Sequence, residues 1–234
     1  MQRRKVLVLS IICLGSVLAA LRLPLFHPYM KSVTQAVSSK KINLSHIRQR
    51  SNVERLKLTR KCVNCDLSGA DLSGLDLSRV NLQGANLTRA NLNQTTLING
   101  LMASVNLSNA SLKEANLQGV DLQNANLAQA NLSKAQMMHA SLAGANLRQT
   151  IFDLAELRAA NLMESKLEKA HLRQTSLYGA ILTRANLAIA DMTGADLRYA
   201  NFLDANLKGA TLRNAQLEFA IMPNGSTYQG NVPY

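Results

Sequence analysis

Apolar residues recur at every fifth position over most of the chain, from Leu67 to Met222. These 32 positions keep one phase and hold 26 Leu, four Met and two Phe, with no polar residue among them. Two residues before each of them stands a small or apolar residue, which is Ala at 22 of the 32 places. We call the Leu-type place the central position and the Ala-type place the small position. The residue between them is mostly Asn or Asp.

A period of five matches neither the 3.6 residues of an α-helical turn nor the alternation of a regular strand. If the small and central positions point inward and the residue between them points outward, each pentad forms a very short strand. The last two residues of the pentad must then turn a corner. Short strands that repeat with corners stack into a solenoid, so the pattern predicts an all-β chain.

Charged residues indicate how many pentads make one coil, because opposite charges on neighbouring rungs attract and like charges repel. At a separation of 15 residues the repeats contain four like-charge pairs and no opposite pair. At a separation of 20 the six pairs are all opposite in charge: Glu114 with Lys134, Arg148 with Glu168, Asp153 with Arg173, Glu164 with Arg184, Arg184 with Asp204, and Arg198 with Glu218. The sequence therefore predicts four pentads per coil and eight coils, in a rod about 38 Å long.

Blocks such as Ala85-Asn86-Leu87-Thr88-Arg89 and Ala195-Asp196-Leu197-Arg198-Tyr199 resemble the pentapeptide-repeat family. The resemblance covers about two-thirds of the chain and implies a right-handed quadrilateral β-helix over residues 62–223, followed by a tail over 224–234. Exported, cyanobacterial-like members look similar around Lys61-Cys62-Val63-Asn64-Cys65. Family members that confer quinolone resistance imitate duplex DNA and bind gyrase through a negatively charged rod.

The net charge of +12 lies entirely before the repeats. Residues 1–65 contain 13 Lys and Arg and one acid, whereas the rest of the chain contains 13 basic and 13 acidic residues. A neutral rod lacks the negative field that DNA mimicry requires. We therefore expect neither nucleic-acid binding nor a DNA-mimic gyrase binder.

The first 26 residues have the order of an export signal. Arg3, Arg4 and Lys5 precede the uncharged stretch 6–21, which ends in small residues. The stretch is short for a membrane span, but residues 23–26 extend it, so we expect either a cleaved signal peptide or an apolar anchor helix. Both alternatives carry the repeats across the cytoplasmic or thylakoid membrane, into the periplasm or lumen.

Residues 27–50 are basic and polar and are interpreted as a linker, either lying against anionic lipid headgroups or merely solvated. Ser51-Asn52-Val53-Glu54 has the pattern of a capping box, which favours a short helix over residues 51–61. Such a helix is expected to cover the open edge of the first coil.

Cys62 and Cys65 form a single C-x-x-C pair without a second pair or a suitably spaced His, so a zinc site is not predicted. They are expected to form a disulfide or to remain thiols in the core. The repeated acids occupy the place that Asn fills elsewhere, and no catalytic triad or phosphate-binding loop is recognisable. The sequence therefore predicts neither an enzyme nor a bound cofactor or metal.

Outward-facing apolar residues interrupt the polar surface mainly on two adjacent faces near the C-terminal end. They suggest an interface for an unknown protein partner or for a homodimer, unless the tail covers them as a cap. The expected function is a non-catalytic extracytoplasmic interaction scaffold, and the alternative is a membrane-surface spacer tethered by its basic N-terminal region. The candidate interface residues are Tyr178, Ile181, Tyr199, Leu203, Phe219 and Ile221.

Overall fold

The computed structural model describes residues 44–230, which form one helix followed by a stack of four-sided coils. Helix α1 spans Leu44–Thr59, and the coils follow from residue 61 to residue 222. Each side of a coil contributes a single-residue β-bridge rather than a longer strand, because two of every five residues are needed for the corner. The expected apolar segment 1–26 and most of the linker lie outside the described residues.

Parallel bridges join residues that are 20 positions apart, from Lys61 with Asn81 to Asn201 with Ile221. This spacing confirms four pentads per coil. The backbone hydrogen bonds follow the same register, since Leu67 N donates to Asn86 O at 2.7 Å and Asn86 N donates to Cys65 O at 2.7 Å. Every inner coil is therefore bonded to the coil before it and to the coil after it.

Central residues from Leu67 to Phe202 are almost completely buried, and so are nearly all of the Ala residues between them. The prediction that both positions point inward is confirmed. Four hydroxyl residues also occupy small positions in the core, where each hydroxyl donates to a backbone carbonyl and so avoids the cost of an unpaired buried donor. These residues are Thr95, Thr150, Ser165 and Thr175.

The corners are four-residue turns whose third residue has a positive φ, as in type II turns. In the first full pentad, Gly69 has φ +65° and Ala70 N donates to Leu67 O at 3.0 Å. Where the outward residue of a pentad is Asn or Asp, its side chain supports the corner that follows. Asp71 Oδ1, for example, accepts from Ser73 N at 3.1 Å. This explains why Asn and Asp alternate freely at that position.

Helix α1 is longer than the capping-box pattern indicated. It begins at Leu44, so Ser51 lies inside the helix and the predicted N-cap at Ser51 was wrong. Helical hydrogen bonding extends over the last seven residues that had been assigned to the linker, and a Ser within a helix has no free first-turn donors to cap. The helix ends at Thr59, after which Arg60 takes the left-handed conformation common at helix C-termini.

Helix α1 packs against the first coil. Leu56 is fully buried in the rod core and Val53 is partly buried against it, while Asn52 Nδ2 donates to Asp66 O at 3.0 Å. Within residues 44–230, no helix has both the length and the apolar character that crossing a membrane requires.

The last coil, which we call the terminal coil, has Leu207, Leu212, Leu217 and Met222 at its central positions. After Pro223 the chain reverses, Thr227 pairs antiparallel with Ile221, and Tyr228 N donates to Ala220 O at 2.8 Å. Leu217 and Met222 are buried. On the other two sides, the core residues Leu207, Ala210, Leu212 and Ala215 are only partly buried. The tail thus covers one part of the terminal coil.

Candidate functional site

Three exposed aromatic rings pack in a row along one edge of the rod near its C-terminal end, with Tyr178 tilted by 53° against Tyr199 and Phe219 stacked on Tyr199. The ring centroids of Tyr178 and Tyr199 are 5.2 Å apart, and those of Tyr199 and Phe219 are 5.0 Å apart with an interplanar angle of 18°. Their exposed fractions are 39%, 49% and 58%. We call Tyr178, Tyr199 and Phe219 the aromatic ladder. Because the coil repeat is 20 residues, corners one coil apart place their side chains on neighbouring rungs.

Two rings of the aromatic ladder stand at turn positions that favour glycine. Tyr199 has φ +59° and Phe219 has φ +62°, whereas Gly179 takes the equivalent place after Tyr178. A non-glycine residue in the left-handed region has a conformational cost, which is larger for bulky side chains than for Asn. Gly or Asn would therefore have a lower conformational cost than the aromatic residues at positions 199 and 219.

Arg198 lies against the ladder. Its guanidinium carbon is 5.5 Å from the centroid of the Tyr178 ring, and its Nε and Nη2 donate to the Asp196 carboxylate at 2.8 Å each. These hydrogen bonds lower the pKa of Asp196 and raise the pKa of Arg198 above its ordinary value. The site thus combines aromatic faces with a fixed cation. Sequence reasoning missed Arg198, although its spacing of 20 residues from Tyr178 is visible in the repeat.

The three aliphatic candidates lie on the adjacent face. Ile181 and Ile221 belong to the same row of β-bridges. Asn201 lies between them and pairs with both, so they are two coils apart. Ile181 and Leu203 are exposed, whereas Ile221 is half-buried. Of the six candidate interface residues, the structure brings the three aromatic ones into one contiguous group.

The tail runs beside the aromatic ladder without covering it. Phe219 lines a cleft together with Leu217, Thr227 and Tyr228, yet more than half of its side chain remains exposed. Other exposed apolar side chains of similar size stand at corners elsewhere on the rod. Leu154, for example, has φ +61° and is as exposed as Tyr199.

The repeated acids serve the backbone. Asp66, Asp71 and Asp76 each accept from the N–H two residues later, at 2.9–3.1 Å. In the part of the chain that the structure describes, no group of three or more His, Cys, Asp or Glu side chains is arranged to hold a metal ion.

Cys62 and Cys65 form a disulfide in the first coil, with Cα atoms 5.3 Å apart. Cys62 occupies the register of a central position and Cys65 that of a small position, so both point into the core. The guanidinium of Arg55, on α1, lies within hydrogen-bond distance of both sulfur atoms.

The repeats match the model of a known protein family. The model for pentapeptide repeats matches in eight copies, over residues 61–99, 106–142, 115–153, 155–188 and 190–224. Proteins with these repeats form right-handed quadrilateral β-helices, in agreement with the four-sided coil and the 20-residue register observed here. A search of curated proteins found no match.

Solved structures of pentapeptide-repeat proteins are similar to the chain. HetL from the cyanobacterium Nostoc sp., described as involved in the regulation of heterocyst differentiation, is 31% identical, with 72% of this chain and 89% of HetL covered and a TM-score of 0.54. Rfr23 from the cyanobacterium Cyanothece is 30% identical, with 71% and 97% covered and a TM-score of 0.25. QnrB1, a plasmid-mediated fluoroquinolone resistance protein, is 16% identical, with 67% and 92% covered and a TM-score of 0.40.

Proposed function

The chain belongs to the pentapeptide-repeat family, and we propose that it is a non-catalytic scaffold that binds a protein partner, or a second copy of itself, through the aromatic ladder. The observation that carries the proposal is the contiguous group of exposed rings formed by Tyr178, Tyr199 and Phe219, in which Phe219 stacks on Tyr199 and Tyr178 packs against Tyr199 at a tilt. Large aromatic side chains with few rotatable bonds are favoured as anchors of protein interfaces.

Stacking and a fixed cation support a binding role at the ladder. Tyr199 and Phe219 stand at left-handed corners where Gly or Asn has a lower conformational cost. Residues such as Leu154 and Ala159 have the same conformation at other corners, so it does not single out the ladder. Stacking offsets part of this cost, because an aromatic pair is worth about 0.5–1.5 kcal/mol. Arg198, already held by Asp196, adds a fixed cation that is itself common at interface centres.

We place this scaffold outside the cytoplasm. The support is the order of residues at the N-terminus, where Arg3, Arg4 and Lys5 precede an uncharged stretch and the small residues Ala19 and Ala20. A fusion of residues 1–50 to an export reporter tests this placement in a bacterial host. Activity of the reporter outside the cytoplasm is expected, and its loss when Val8 and Leu9 are replaced by Asp is the matched control.

A second candidate function is a membrane-surface spacer. It is favoured by the concentration of basic residues before the rod, since the repeats themselves carry no net charge. Basic segments bind anionic headgroups by roughly 1 kcal/mol per Lys or Arg. Co-sedimentation with vesicles containing phosphatidylserine separates the two functions: the spacer requires lipid binding that disappears in high salt, whereas the scaffold requires partner binding that survives removal of the basic segment.

The same charge distribution argues against a DNA mimic that binds gyrase. The acids of the rod are matched by bases, and several of them are paired directly, as in Glu114 with Lys134 and Glu168 with Arg148. A protein that imitates duplex DNA needs an unbalanced negative field. We therefore propose no nucleic-acid partner and no DNA-like surface.

Photo-crosslinking in cells tests the scaffold. A photoreactive phenylalanine analogue at position 199 keeps the aromatic ring and is expected to give a crosslinked product, which mass spectrometry identifies as another protein or as a second copy. The same analogue at position 154 is the matched control, because Leu154 has the same turn conformation and similar exposure outside the ladder. Equal products from both positions, or none from position 199, contradict the proposal.

Substitution separates binding from folding. The double change Tyr199→Asn with Phe219→Asn removes both rings and places a residue that tolerates the left-handed region at each corner. We expect the crosslink or dimer to be lost at nearly unchanged thermal stability, whereas Leu154→Asn leaves the assembly intact. If the double variant instead loses stability and keeps its mass by light scattering, the ladder only packs the end of the rod.

A further inference from the structure

The disulfide in the first coil stands where other coils hold Leu and Ala without any covalent bond. Cys62 and Cys65 are 1% and 5% exposed, and they close a loop of only four residues. A short loop restrains the unfolded chain far less than a long one. The remaining coils stack through hydrogen bonds and apolar packing alone, so closing the first coil does not require this bond.

Arg55 gives this disulfide an unusual environment. Its Nη2 atom is 3.3 Å from Cys62 Sγ and closer still to Cys65 Sγ. None of the ion pairs found among the described residues includes Arg55. A guanidinium has only donors to offer, and the sulfur of a disulfide is a weak acceptor. A thiolate is charged and is a much stronger acceptor. Arg55 therefore fits the reduced pair of cysteines better than the oxidised pair.

We propose that Cys62 and Cys65 form a thiol–disulfide exchange site whose reduced state is stabilised by Arg55. The co-reactant is a dithiol. One of its thiolates attacks Cys62 Sγ, the Sγ–Sγ bond breaks, and its electron pair leaves with Cys65 as a thiolate that faces Arg55. The choice of leaving group follows from the geometry, because Arg55 is nearer to Cys65. A thiolate of lower pKa is the faster leaving group.

The second thiol of the reductant then attacks the mixed disulfide and releases Cys62, which takes up one proton. The dithiol is oxidised to a disulfide, the protein pair gains two electrons, and the other proton passes to solvent while Cys65 remains ionised. Both sulfurs lie beneath α1, so a reductant reaches them only when the helix lifts from the coil. Folded proteins open locally, and lifting α1 exposes both sulfurs, which are almost fully buried beneath it.

The test uses the full chain in buffers that contain reduced and oxidised dithiothreitol in varied ratios at pH 7. Acid quenching, alkylation and mass spectrometry then give the fraction reduced. Arg55→Met keeps the length of the side chain and removes its charge. We expect this change to lower the equilibrium constant for reduction about tenfold, which is about 30 mV for a two-electron couple. Arg55→Lys retains the cation and is expected to retain most of the effect.

The pH profile of alkylation in the reduced protein separates the charge effect from a change in helix packing. Wild type should contain a thiol that ionises below the free cysteine value of about 8.5, and Arg55→Met should return it to that range. Leu56→Ala loosens α1 without touching the charge, so it should speed exchange and leave the profile in place. Identical profiles and identical equilibrium constants in wild type and Arg55→Met overturn the proposal. The Cys62→Leu, Cys65→Ala variant restores the repeat pattern and gives the unlabelled control.

Discussion

At the N-terminal end of the rod, α1 covers the first coil and buries Leu56 completely, whereas the terminal coil leaves Leu207 and Leu212 only partly buried. The repeat is the same at both ends, so the difference comes from the chain that flanks it. A pentad specifies how one coil stacks on the next, but it contains no signal for stopping. Each end therefore needs its own device against the exposure of core residues and unpaired backbone groups.

The two devices differ in kind. Helix α1 satisfies its own backbone groups and contributes an apolar side chain to the core, while the return of the tail pairs only one side of the terminal coil, through Thr227 and Tyr228. The aromatic ladder lies at this less covered end. Within the terminal coil the ladder ends at Phe219, at the corner between the two sides whose central residues, Leu217 and Met222, are buried.

The middle of the rod provides the reference for both ends. Leu132→Arg places a charge among fully buried central residues, and we expect it to destabilise the rod by several kcal/mol because the charge has no partner there. Ser133→Arg, on the outer surface, is the matched control and should cost about 0.5 kcal/mol or less. Chemical denaturation followed by circular dichroism measures both, and equal midpoints contradict the inward assignment of the central position.

The N-terminal cover should be almost as sensitive as the middle. Leu56→Ala removes a fully buried side chain of α1, and we expect a loss of about 3 kcal/mol in the free energy of unfolding. Leu58→Ala, on the same helix but 84% exposed, should change it by less than about 0.5 kcal/mol. A small effect of Leu56→Ala would mean that the first coil is stable without its cover.

The terminal coil should tolerate more. Leu172 and Leu212 occupy the same face of the rod, two coils apart, but Leu172 is buried while Leu212 is half-buried. We expect Leu172→Ala to cost about 3 kcal/mol and Leu212→Ala about 1 kcal/mol, because less apolar surface returns to water. If the two costs are equal when measured by denaturation, the terminal coil is packed as firmly as the middle and the contrast between the ends disappears.

The parts of the fold that could be predicted from the sequence are the periodic ones. The four-sided coil, the inward central and small positions, and the 20-residue register follow from the spacing of Leu, Ala and charges, and the bridges from Lys61 to Ile221 confirm them. The charge pairs are confirmed less uniformly. Glu114 meets Lys134 as expected, whereas Arg198 binds Asp196 within its own pentad. Long side chains choose between several neighbours at similar distance, and sequence spacing alone does not rank them.

The non-periodic parts were harder. The start of α1 was missed because residues 44–50 contain only two apolar residues, Leu44 and Ile47, which are too few to mark the apolar stripe that is the main helical signal in a sequence. For the candidate interface, the pattern located an apolar region correctly but did not separate its aromatic members from Ile181, Leu203 and Ile221. The stacking of Tyr199 on Phe219 depends on corner geometry, which a five-residue pattern states only indirectly.

The smallest expected effect concerns the pH dependence of the rod near its C-terminal end. Asp191 has a pKa of about 2, mainly because Thr193 Oγ1 donates to it and also because Arg173 lies beside it. The folded value is below the ordinary value of 3.8. The stabilisation is therefore complete at pH values above about 4 and is lost as the pH falls towards 2. We expect it to be under about 1 kcal/mol, because the exposed Arg173 is screened by solvent.

Thr193→Val removes the main hydrogen bond and keeps the carboxylate. We expect the pKa of Asp191, measured by NMR titration, to rise towards 3.8, and the loss of thermal stability between pH 4 and pH 2 to become smaller. Asp191→Asn should flatten the same part of the profile while lowering stability slightly at pH 7. An unchanged titration of Asp191 in Thr193→Val would show that Arg173 and the backbone N–H of residue 193 hold the carboxylate without the hydroxyl.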